Sequence, residues 1–471
     1  MRVLSLFDGI STGQLALKHS QIKIDKYFAC EIDPYAIKIT QHNFPRTKQL
    51  GNVYDLNESN LPEDIDLLLA GFPCFVADTQ VISSKGYVPI QDITVEDLVL
   101  THTGNYEKVL QTNCRLSPTV ILKAEGFAAT ETTLEHPYWT RLRTKTFVNK
   151  KPVYTFSEPY WEEVKNLTKN HFIALPILQK EENPRNLSHE DCWLLGRFIA
   201  DGHIDNKPRK DRANSFNYKI ILSIGSDKLV DFQRHVKRKY SQHAHGKSTH
   251  RIIFCSKLMV ELYQDLGLVN GAINKIIPLE LLNLPKHLLQ SVIEGYMSGD
   301  GCYWGGRFSA SSISLKLIQT LSLAIAKVYN LKTTIIHTKK PPTYVIEGRT
   351  VNQNDVYSLQ YLLDSARVRK DYSLHDQDYI WLPVKSVTET HTLKAVYNFE
   401  VAHDNSYTAN NAVVHNCQSF SKLSNQLGLS TATGLLVHEL VRIRDIIKPT
   451  YFLFENVYML PSHLRALNEL F

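Results

Sequence analysis

The spacing of apolar residues near the start of the chain indicates a parallel sheet covered by helices. Three short apolar runs, at 3–7, 26–30 and 66–70, are separated by segments of helical period that begin at Gln14 and Pro34. Strands buried on both faces of a parallel sheet read as continuous apolar runs, whereas surface helices repeat every 3.6 residues. The segment 1–73 is therefore predicted to form an α/β unit.

The pattern then changes three times. Short apolar stretches broken by turn residues such as Lys85-Gly86 follow Cys74, which is typical of an all-β unit. A region with long helical patterns and basic, β-rich segments comes next, and a further β-type pattern precedes Cys417. A helix over 434–441 and a strand over 451–454 then restore the α/β character. The predicted segments are 1–73, 74–185, 186–375, 376–416 and 417–471.

Composition is that of a folded multidomain protein. The chain has 471 residues, 43% of them hydrophobic, and a formal net charge of +6. The positive charge is concentrated over 207–251, which includes the run Arg234-His235-Val236-Lys237-Arg238-Lys239. Such a segment either neutralises DNA phosphates or forms an ordinary solvated helix face, and composition leaves both interpretations open.

Neither a membrane partner nor a disulfide framework is expected. No run of 18 or more apolar residues is present, and the N-terminus does not resemble a signal peptide. The seven cysteines include no CxxC pair, so we expect reduced thiols in a cytoplasmic, nucleoid-associated protein.

The turn after the first strand has the composition of a nucleotide-binding loop. Asp8-Gly9-Ile10-Ser11-Thr12-Gly13 follows the first apolar run, and Glu31 ends the second. Glycines allow the backbone to approach a ligand, and an acid at the tip of the second strand can accept hydrogen bonds from ribose hydroxyls. A generic α/β turn is the alternative.

The two ends of the chain together resemble the DNA cytosine-C5 methyltransferases, most closely the de novo type. Joining Pro73 to Cys417 gives AGFPCQSFS, and LSLFDGISTG, ACEIDPYAI, GNVYD and ENV occur in the family's order. The resemblance implies that Cys417 attacks C6 of a flipped cytosine in double-stranded DNA, and that Glu455 holds the base. It also implies a site for S-adenosylmethionine formed by Phe7, Asp8, Gly9, Ile10, Thr12, Glu31, Ile32, Asp55 and Pro73.

Residues 74–416 resemble an intein, a segment that excises itself and ligates its flanks. The resemblance implies that Cys74 attacks the preceding carbonyl, with Thr133 and His136 assisting. Cys417 would then accept the first flank, and Asn416 would cyclise with help from His415, without any cofactor. Two positions depart from the usual pattern, since Asn398 replaces an aspartate and Asn405 replaces a histidine. We expect His403 to point to the same strand face as Asn405 and to substitute for that histidine.

Within this insert, two segments at 193–202 and 292–301 resemble the LAGLIDADG motif of homing endonucleases. Each segment reads as a helix that ends at an acid followed by glycine, so a single copy is equally a helix C-cap. As a pair, their small residues would let two helices pack closely and bring Asp201 and Asp300 together as ligands for Mg²⁺. Arg197 departs from the apolar residue expected in the first helix. Lys339 or Lys340 is the candidate for a basic residue that supports the acids, as the resemblance implies.

The sequence therefore predicts a multidomain fold: a split α/β Rossmann-like methyltransferase half, an all-β Hint-type splicing domain and an α+β endonuclease domain. The predicted function is a self-splicing precursor of a cytosine-5 methyltransferase that carries a metal-dependent, site-specific endonuclease. The alternative is a degenerate insert that only binds DNA, in a fragment that binds S-adenosylmethionine without transferring methyl groups. Since residues 1–73 and 417–471 lack the family's later motifs, we expect methylation to need a separate C-terminal fragment or a longer reading frame.

Overall fold

The computed structural model describes residues 1–6, 8, 11–31, 34–51, 55–57, 60–70, 74–208, 216–346, 349–363, 374–416 and 442–454. The α-helices with defined bounds are α1 Thr12–His19, α2 Pro34–Asn43, α3 His189–Asp201, α4 Leu229–His235, α5 Lys257–Asp265, α6 Leu279–Leu282, α7 Lys286–Asp300 and α8 Leu315–Tyr329, and residues 442–447 are also helical. The strands are β1 Arg2–Leu6, β2 Lys26–Cys30, β3 Lys48–Gln49, β4 Leu67–Ala70, β5 Phe75–Val76, β6 Gln80–Ser83, β7 Gly86–Pro89, β8 Leu98–Leu100, β9 Tyr106–Ala124, β10 Thr130–Thr132, β11 Pro137–Val148, β12 Lys151–Phe156, β13 Tyr160–Glu163, β14 His171–Pro176, β15 Gly202–Asp205, β16 Lys219–Gly225, β17 Ser241–Ala244, β18 Thr249–Cys255, β19 Gly301–Trp304, β20 Arg307–Ser312, β21 Thr334–Thr338, β22 Thr343–Ile346, β23 Arg349–Asn352, β24 Val356–Leu362, β25 Leu374–His375, β26 Tyr379–Val401, β27 Ser406–Ala409, β28 Ala412–His415 and β29 Tyr451–Phe454.

The two ends of the chain form one sheet. Its strand order is β29-β4-β1-β2-β3, and every pairing is parallel. β4 and β29 are direct neighbours, with Leu67 opposite Tyr451 and Ala70 opposite Phe454. Residues from opposite ends of the sequence therefore form adjacent strands, although the insert lies between them.

Both faces of this sheet are covered. Leu4, Leu6 and Leu68 belong to one apolar cluster, which also contains Ile443 from the second flank. Val3, Tyr27, Ala29 and Leu67 form the cluster on the opposite face. Burial on both sides explains the continuous apolar runs in the sequence, because alternate residues of each strand point to opposite faces.

The strands that follow Cys74 and those that precede Cys417 form a single 14-stranded sheet. Its main path is β12-β11-β14-β26-β5-β10-β9-β8-β6-β27-β28. β5 and β28, which begin and end the insert, lie in this sheet, and β11 pairs with both β14 and β28. β10 brings Thr132 opposite Phe75. The predicted all-β character of these two segments matches the observed strands.

The prediction of short strands is wrong for β9 and β26, which contain 19 and 23 residues. These two strands pair along most of their length, with register shifts between Val384 and Ser386, between Glu389 and Leu393, and between Glu400 and Val401. Bulges bend a strand and increase its twist. They allow one long strand to follow a curved sheet, which a sequence pattern of period two does not reveal.

The middle of the insert forms a separate arrangement of helices and two four-stranded sheets, β15-β16-β18-β17 and β19-β20-β24-β21. α3 and α7 pack together closely, because each presents a glycine to the other. A Cβ atom added at Gly196 would lie 2.0 Å from the carbonyl oxygen of Val292, and one at Gly295 would lie 2.0 Å from that of Trp193. Each helix ends directly at a strand, β15 or β19.

The helices and the 14-stranded sheet share one hydrophobic core. This cluster of buried residues runs from Phe75 and Val81 in the sheet, through Leu195 and Val292 of the packed helices, to Val414. The insert is therefore continuous in its packing. In the part of the chain that the structure describes, no helix has both the length and the apolar character needed to cross a bilayer.

Candidate active sites

Cys74 lies buried at the start of β5, where two threonines hold its backbone. The Thr133 hydroxyl accepts from the Cys74 N–H at 3.0 Å, and the Thr133 N–H donates to the Cys74 carbonyl at 3.0 Å. The Thr132 hydroxyl donates to the same carbonyl at 3.1 Å. Cys74 is only 4% exposed. These contacts fix the peptide group around Cys74 within a site that excludes bulk water.

His136 follows Thr133 by three positions and lies in the same buried site. Its ring is 4.1 Å from that of Phe75, and Tyr138 and Tyr407 lie beside it. Neither ring nitrogen makes a well-formed hydrogen bond to the described residues. Burial, with a smaller contribution from the nearby His415, lowers the pKa of His136 to about 3. The imidazole is therefore neutral at pH 7, and it lies against the backbone of His415.

The other end of the insert, Asn416, is 1% exposed and held by two backbone groups. Its N–H donates to the Asn405 carbonyl at 2.8 Å. With its side-chain amide oriented to satisfy both atoms, the nitrogen donates to the same carbonyl at 2.7 Å and the oxygen accepts from the Val401 N–H at 2.9 Å. His415 Nδ1 lies 2.8 Å from the Asn416 carbonyl oxygen. Burial lowers the pKa of His415 to about 4.

The expectation that His403 points to the same strand face as Asn405 is wrong. His403 and Asn405 lie in a turn, with φ of 52° and 49°, so the alternation of a strand does not apply to them. The His403 side chain is 82% exposed and pairs with Glu107. Asn405, in contrast, is 2% exposed and holds Asn416 through its backbone carbonyl.

Asn398 is placed against the first junction. The β5–β26 register pairs Phe75 with Tyr397, which puts Asn398 next to Cys74 across the sheet. Its side-chain oxygen accepts from the Tyr407 hydroxyl and the Phe399 N–H, both at 2.8 Å. Asn398 is 3% exposed. A neutral amide satisfies these donors without placing a charge in the buried site.

The acids Asp201 and Asp300 end α3 and α7 side by side. Because Gly299 has no side chain, it lets the two helix ends meet: a Cβ atom there would lie 2.4 Å from Ala200 Cβ and 3.1 Å from Asp201 Oδ2. Gly202 and Gly301, which follow the acids, have φ of −86° and −81°. These glycines therefore do not form left-handed C-caps. Their lack of a side chain is required by close contacts with Phe198 and Met297.

Three cations surround this acidic pair. Arg197 is 2% exposed and forms an ion pair with Asp201 at 2.8 Å. Lys275 donates to the Ala200 carbonyl, and Lys228 donates to the Gly299 carbonyl at 2.6 Å. Burial raises the pKa of Asp300, and the negative charge of Asp201 raises it further, while Lys275 and Arg197 oppose the rise.

Lys275 and Lys228 are partners of the acids that no sequence motif predicts. The predicted candidates, Lys339 and Lys340, follow β21, where the Lys340 N–H donates to Asp355. Neither Lys339 nor Lys340 is among the charges that act on Asp300. Lys275 lies in an irregular segment before α6 and carries no motif. Only its distance from Ala200 in the folded chain identifies it.

The acidic pair fits a hard divalent cation in its donor chemistry. Burial and, to a smaller extent, the charge of Asp201 raise the pKa of Asp300, and the two carboxylates supply oxygen ligands whose charge a cation would balance. Within the described ranges, no cluster of three or more His, Cys, Asp or Glu side chains has the arrangement of a metal site. Asp201 and Asp300 would thus hold Mg²⁺ together with water or phosphate oxygens.

At the carboxyl ends of β1 and β2, Asp8 and Glu31 lie at the same edge of the sheet. The Asp8 N–H donates to the Cys30 carbonyl at 3.0 Å, and its carboxylate accepts from the hydroxyls of Ser11 and Tyr27. Burial raises the pKa of Asp8, and the charge of Glu31 adds to the rise. Asp8 therefore organises the turn, and Glu31 ends the neighbouring strand at the same edge of the sheet, where a carboxylate fits the donor groups of a nucleoside ligand such as S-adenosylmethionine.

The remaining predicted site residues are described only in part or lie outside the described ranges. Asp55 is exposed, and its carbonyl accepts from the Asn60 amide at 2.9 Å, whereas Thr12 is described only as the first residue of α1. The predicted site residues outside the described ranges are Phe7, Gly9, Ile10, Ile32, Pro73, Cys417 and Glu455. The predicted helix over 434–441 also lies outside them.

A family model of the C-5 cytosine-specific DNA methylases matches residues 1–95 and 416–470. The two ends of the chain match this methylase family. The match breaks off after residue 95 and resumes at residue 416, which fits a methylase interrupted by the insert. The sheet that β4 and β29 form together is built wholly from the matched residues.

Relatives that match most of the chain have names unrelated to methylation. The ATP-dependent DNA helicase Hel308 of Thermococcus kodakarensis is 26% identical over 417 residues, covering 73% of this chain and 36% of the helicase. An iron-sulfur cluster assembly SufBD family protein of Mycobacterium bovis is 24% identical over 409 residues, covering 79% of this chain and 46% of that protein. The chain thus spans less than half the length of these relatives.

Two kinds of solved structure are similar to parts of this chain. Mesophilic variants of the homing endonuclease I-DmoI align with 38% of this chain and 90% of their own, at 17% identity and a TM-score of 0.27. A mutant of the Ssp DnaB mini-intein aligns with 73% of this chain and 98% of its own, at 11% identity and a TM-score of 0.26.

Proposed function

We propose that the interrupted methylase is a self-splicing precursor that excises residues 74–416 and joins Pro73 to Cys417. The observation that carries this proposal is the shared sheet of the flanks, in which β4 and β29 are already paired while the insert is still present. The ends of the insert, Cys74 and Asn416, are both buried in the 14-stranded sheet. Ligation would then join two flanks that are already folded together.

In the first step, the Cys74 thiol attacks the carbonyl carbon of Pro73. The new C–S bond replaces the C–N bond of the Pro73–Cys74 peptide, and a thioester forms. The thiol proton moves to the departing nitrogen of Cys74. A neutral imidazole suits this transfer, because His136 can accept a proton at one nitrogen and donate one from the other. Thr133, hydrogen-bonded to the Cys74 N–H, orients that peptide group.

The second junction completes the exchange. The Cys417 thiol attacks the thioester carbonyl, and the Cys74 sulfur leaves as a thiol. The Asn416 side-chain nitrogen then attacks its own carbonyl carbon, which breaks the Asn416–Cys417 bond, forms a succinimide and frees the Cys417 amine. His415 Nδ1, 2.8 Å from that carbonyl oxygen, is placed to donate a hydrogen bond to it. Finally, the freed amine takes the acyl group from sulfur and leaves a normal peptide bond.

The relatives support an insert that is independent of its host. A DNA helicase and an iron-sulfur cluster assembly protein have no activity in common with a methylase, yet they match 73% and 79% of this chain. The insert, 74–416, makes up a similar share of the sequence. A mobile insert is a simple explanation for matches of this length among proteins with unrelated names.

For the ligated flanks we propose a role in methyl transfer to C5 of cytosine in DNA. Bound S-adenosylmethionine would supply the methyl group, and Glu31 would hold its ribose. Cys417 would add to C6 of the base, and Glu455 would hold N3 and the exocyclic amine.

The mass of the expressed chain tests splicing. We expect the 53.9 kDa chain to be replaced by two products, a larger one that consists of 74–416 and a smaller one in which 1–73 is joined to 417–471. The Cys74→Ala, Asn416→Ala double variant should stay at full length. Cys255→Ala, which changes an exposed thiol, is the matched control and should splice normally. Full-length wild-type protein would contradict the proposal and favour the passenger alternative.

A second candidate function, site-specific DNA cleavage, is favoured by the acidic pair. Asp201 and Asp300 lie together at two helix ends and are flanked by Lys228 and Lys275, which suits a centre that receives phosphates. We expect nicking or cleavage of an insert-free copy of the methylase gene only with Mg²⁺ present. Asp201→Asn and Asp300→Asn should each abolish it, whereas Asp227→Asn, at an exposed acid, should not. DNA binding without metal-dependent cleavage would again favour the passenger alternative.

A further inference from the structure

Helix α8 lies where the middle of the insert meets the 14-stranded sheet. Every residue from Leu317 to Lys327 is buried, including the polar Gln319, Thr320 and Ser322. Buried polar groups are almost always hydrogen-bonded, so the partners of these side chains identify the segments that α8 contacts. Two of them, Gln319 and Ser322, take part in contacts with the turns that precede the splice-junction residues.

The first contact joins α8 to the turn between β27 and β28. Asn410 and Asn411 form this turn with φ of 47° and 70°, a conformation that asparagine tolerates well. The Asn411 side-chain amide donates to the backbone carbonyl of Gln319 at 2.9 Å. The Gln319 side-chain amide donates to Asn410 Oδ1 at 3.3 Å. β28 follows this turn directly and leads to Asn416, so the contact lies close to the second junction in sequence.

The second contact joins the segment after α8 to the turn between β9 and β10. Lys332 forms a largely buried ion pair with Glu125 at 3.2 Å. Gly126, at φ +74°, approaches so closely that a Cβ atom there would lie 2.8 Å from the Thr333 carbonyl oxygen. The Thr333 hydroxyl is in turn hydrogen-bonded to Ser322 of α8 at 2.6 Å. β10 runs from this turn to Thr132 and Thr133, which hold Cys74.

The two contacts are connected across the sheet. The Asn410 side chain donates to the Thr130 hydroxyl at 3.2 Å and accepts from the Gln80 N–H at 3.0 Å. Thr130 begins β10, so the turn before the second junction and the strand that leads to the first are tied to each other and to α8.

We propose that α8 positions both splice junctions, with Gln319 and Lys332 as positioning residues, so that excision depends on the middle of the insert. This inference rests on the proposed splicing function and extends it. Neither residue touches a reacting atom. Gln319 acts through the β27–β28 turn on Asn416, and Lys332 acts through the β9–β10 turn on Thr133 and His136.

Separate assays of the two junctions test the positioning role in the full chain. Cleavage after Asn416 is followed in a Cys74→Ala background, and thiol-induced cleavage before Cys74 is followed in an Asn416→Ala background. We expect Gln319→Met to slow the first reaction about tenfold and the second less, since small misplacements of reacting groups are costly. Lys332→Met should have the reverse preference. A variant that merely weakened the fold would slow both reactions alike.

Matched controls are available in α7. Gln290→Met and Lys286→Met make the same substitutions at exposed positions and should leave both rates within about twofold of the parent, as surface changes usually do. Equal rates for Gln319→Met and Gln290→Met would overturn the proposal, as would equal slowing of both junctions by Gln319→Met.

Hydrogen exchange separates this inference from the splicing proposal itself. In the Cys74→Ala, Asn416→Ala chain, which cannot splice, Gln319→Met should raise exchange at the amides of 412–415 about tenfold, while Gln290→Met should not. If the wild-type chain fails to splice but this difference appears, the positioning of 412–415 by α8 is supported and the splicing proposal fails. If exchange over 412–415 is unchanged, the positioning by α8 is wrong, whether or not the chain splices.

Discussion

The two candidate centres of the insert differ most in their electrostatics. At the splice junctions, His136 and His415 are buried and neutral, with pKa values lowered to about 3 and about 4. Asp201 and Asp300 instead lie among the cationic side chains Arg197, Lys228 and Lys275. A dry, neutral site suits reactions of the chain with itself, because no external group has to enter. A charged site at helix ends suits an external polyanion and a cation.

The centres also differ in what brings their residues together. The acidic pair depends on two helices whose backbones touch through Gly196 and Gly295. The junctions depend on strand register, which puts Cys74 beside Thr133 and Tyr138 opposite Val414. Substitutions that separate helices should therefore affect the acids first, and substitutions in the sheet should affect the junctions first. The predictions below test this contrast.

Among single substitutions, the largest effect is expected from Gly295→Ala. Its new Cβ would lie 2.0 Å from the Trp193 carbonyl oxygen, so α3 and α7 must separate. Overlap with a backbone atom should cost about 3 kcal/mol of unfolding free energy or more, well above the roughly 1 kcal/mol that alanine gains in helix propensity. Urea unfolding measures the loss. Glu294→Ala, at an exposed position of α7, is the control and should stay within about 0.5 kcal/mol.

Acid should destabilise the junction centre strongly. His136 and His415 have lowered pKa values in the folded chain, so below pH 6.5 the unfolded chain binds more protons than the folded chain does. Stability is then complete above pH 6.5 and lost as pH falls, by about 3 kcal/mol per histidine between pH 7 and pH 4.

Urea unfolding as a function of pH checks this expectation. His136→Gln should flatten the slope between pH 7 and pH 4, whereas His243→Gln, at an exposed histidine, should leave it unchanged. An unaltered slope in the His136 variant would mean that its imidazole is not neutral in the folded chain.

At the acidic centre, Arg197→Met should strengthen divalent cation binding. Arg197 is buried and paired with Asp201 at 2.8 Å, so it balances charge that a metal would otherwise balance. Removing it should increase Mn²⁺ affinity about fivefold, as measured by calorimetry without DNA, and should lower stability in the absence of metal. Arg307→Met, at an exposed arginine, is the matched control. Weaker Mn²⁺ binding in the Arg197 variant would instead make the guanidinium an organiser of the site.

The smallest effect is expected from His403→Ala. Its side chain is 82% exposed and pairs with Glu107, so the rate of cleavage after Asn416 should change less than twofold. Asn416→Ala in the same assay should abolish the reaction. A large loss in the His403 variant would restore its predicted role as a substitute for the histidine that Asn405 replaces.

Much of this organisation could be predicted from local patterns. The apolar run at 451–454 coincides with β29, and the helix predicted within 292–301 corresponds to the last part of α7, which ends at Asp300. Both could be predicted because buried strands and helices have a characteristic spacing of apolar residues. The motif acids Asp201 and Asp300 are the last residues of α3 and α7. The lengths of β9 and β26 could not be predicted, since bulges interrupt the pattern without ending the strand.

The sequence by itself determined the order of the segments, the residues at the two junctions and the pairing of the Asp-Gly motifs. These features depend on residue type and spacing along the chain. Only the tertiary structure decided that His403 points to solvent, that Lys275 approaches the acids and that Gln319 holds the turn before Asn416. Each of these depends on contacts between residues far apart in the chain or on the backbone of a turn. Local periodicity contains no information about such contacts, because burial and charge are set by the elements that pack around each residue.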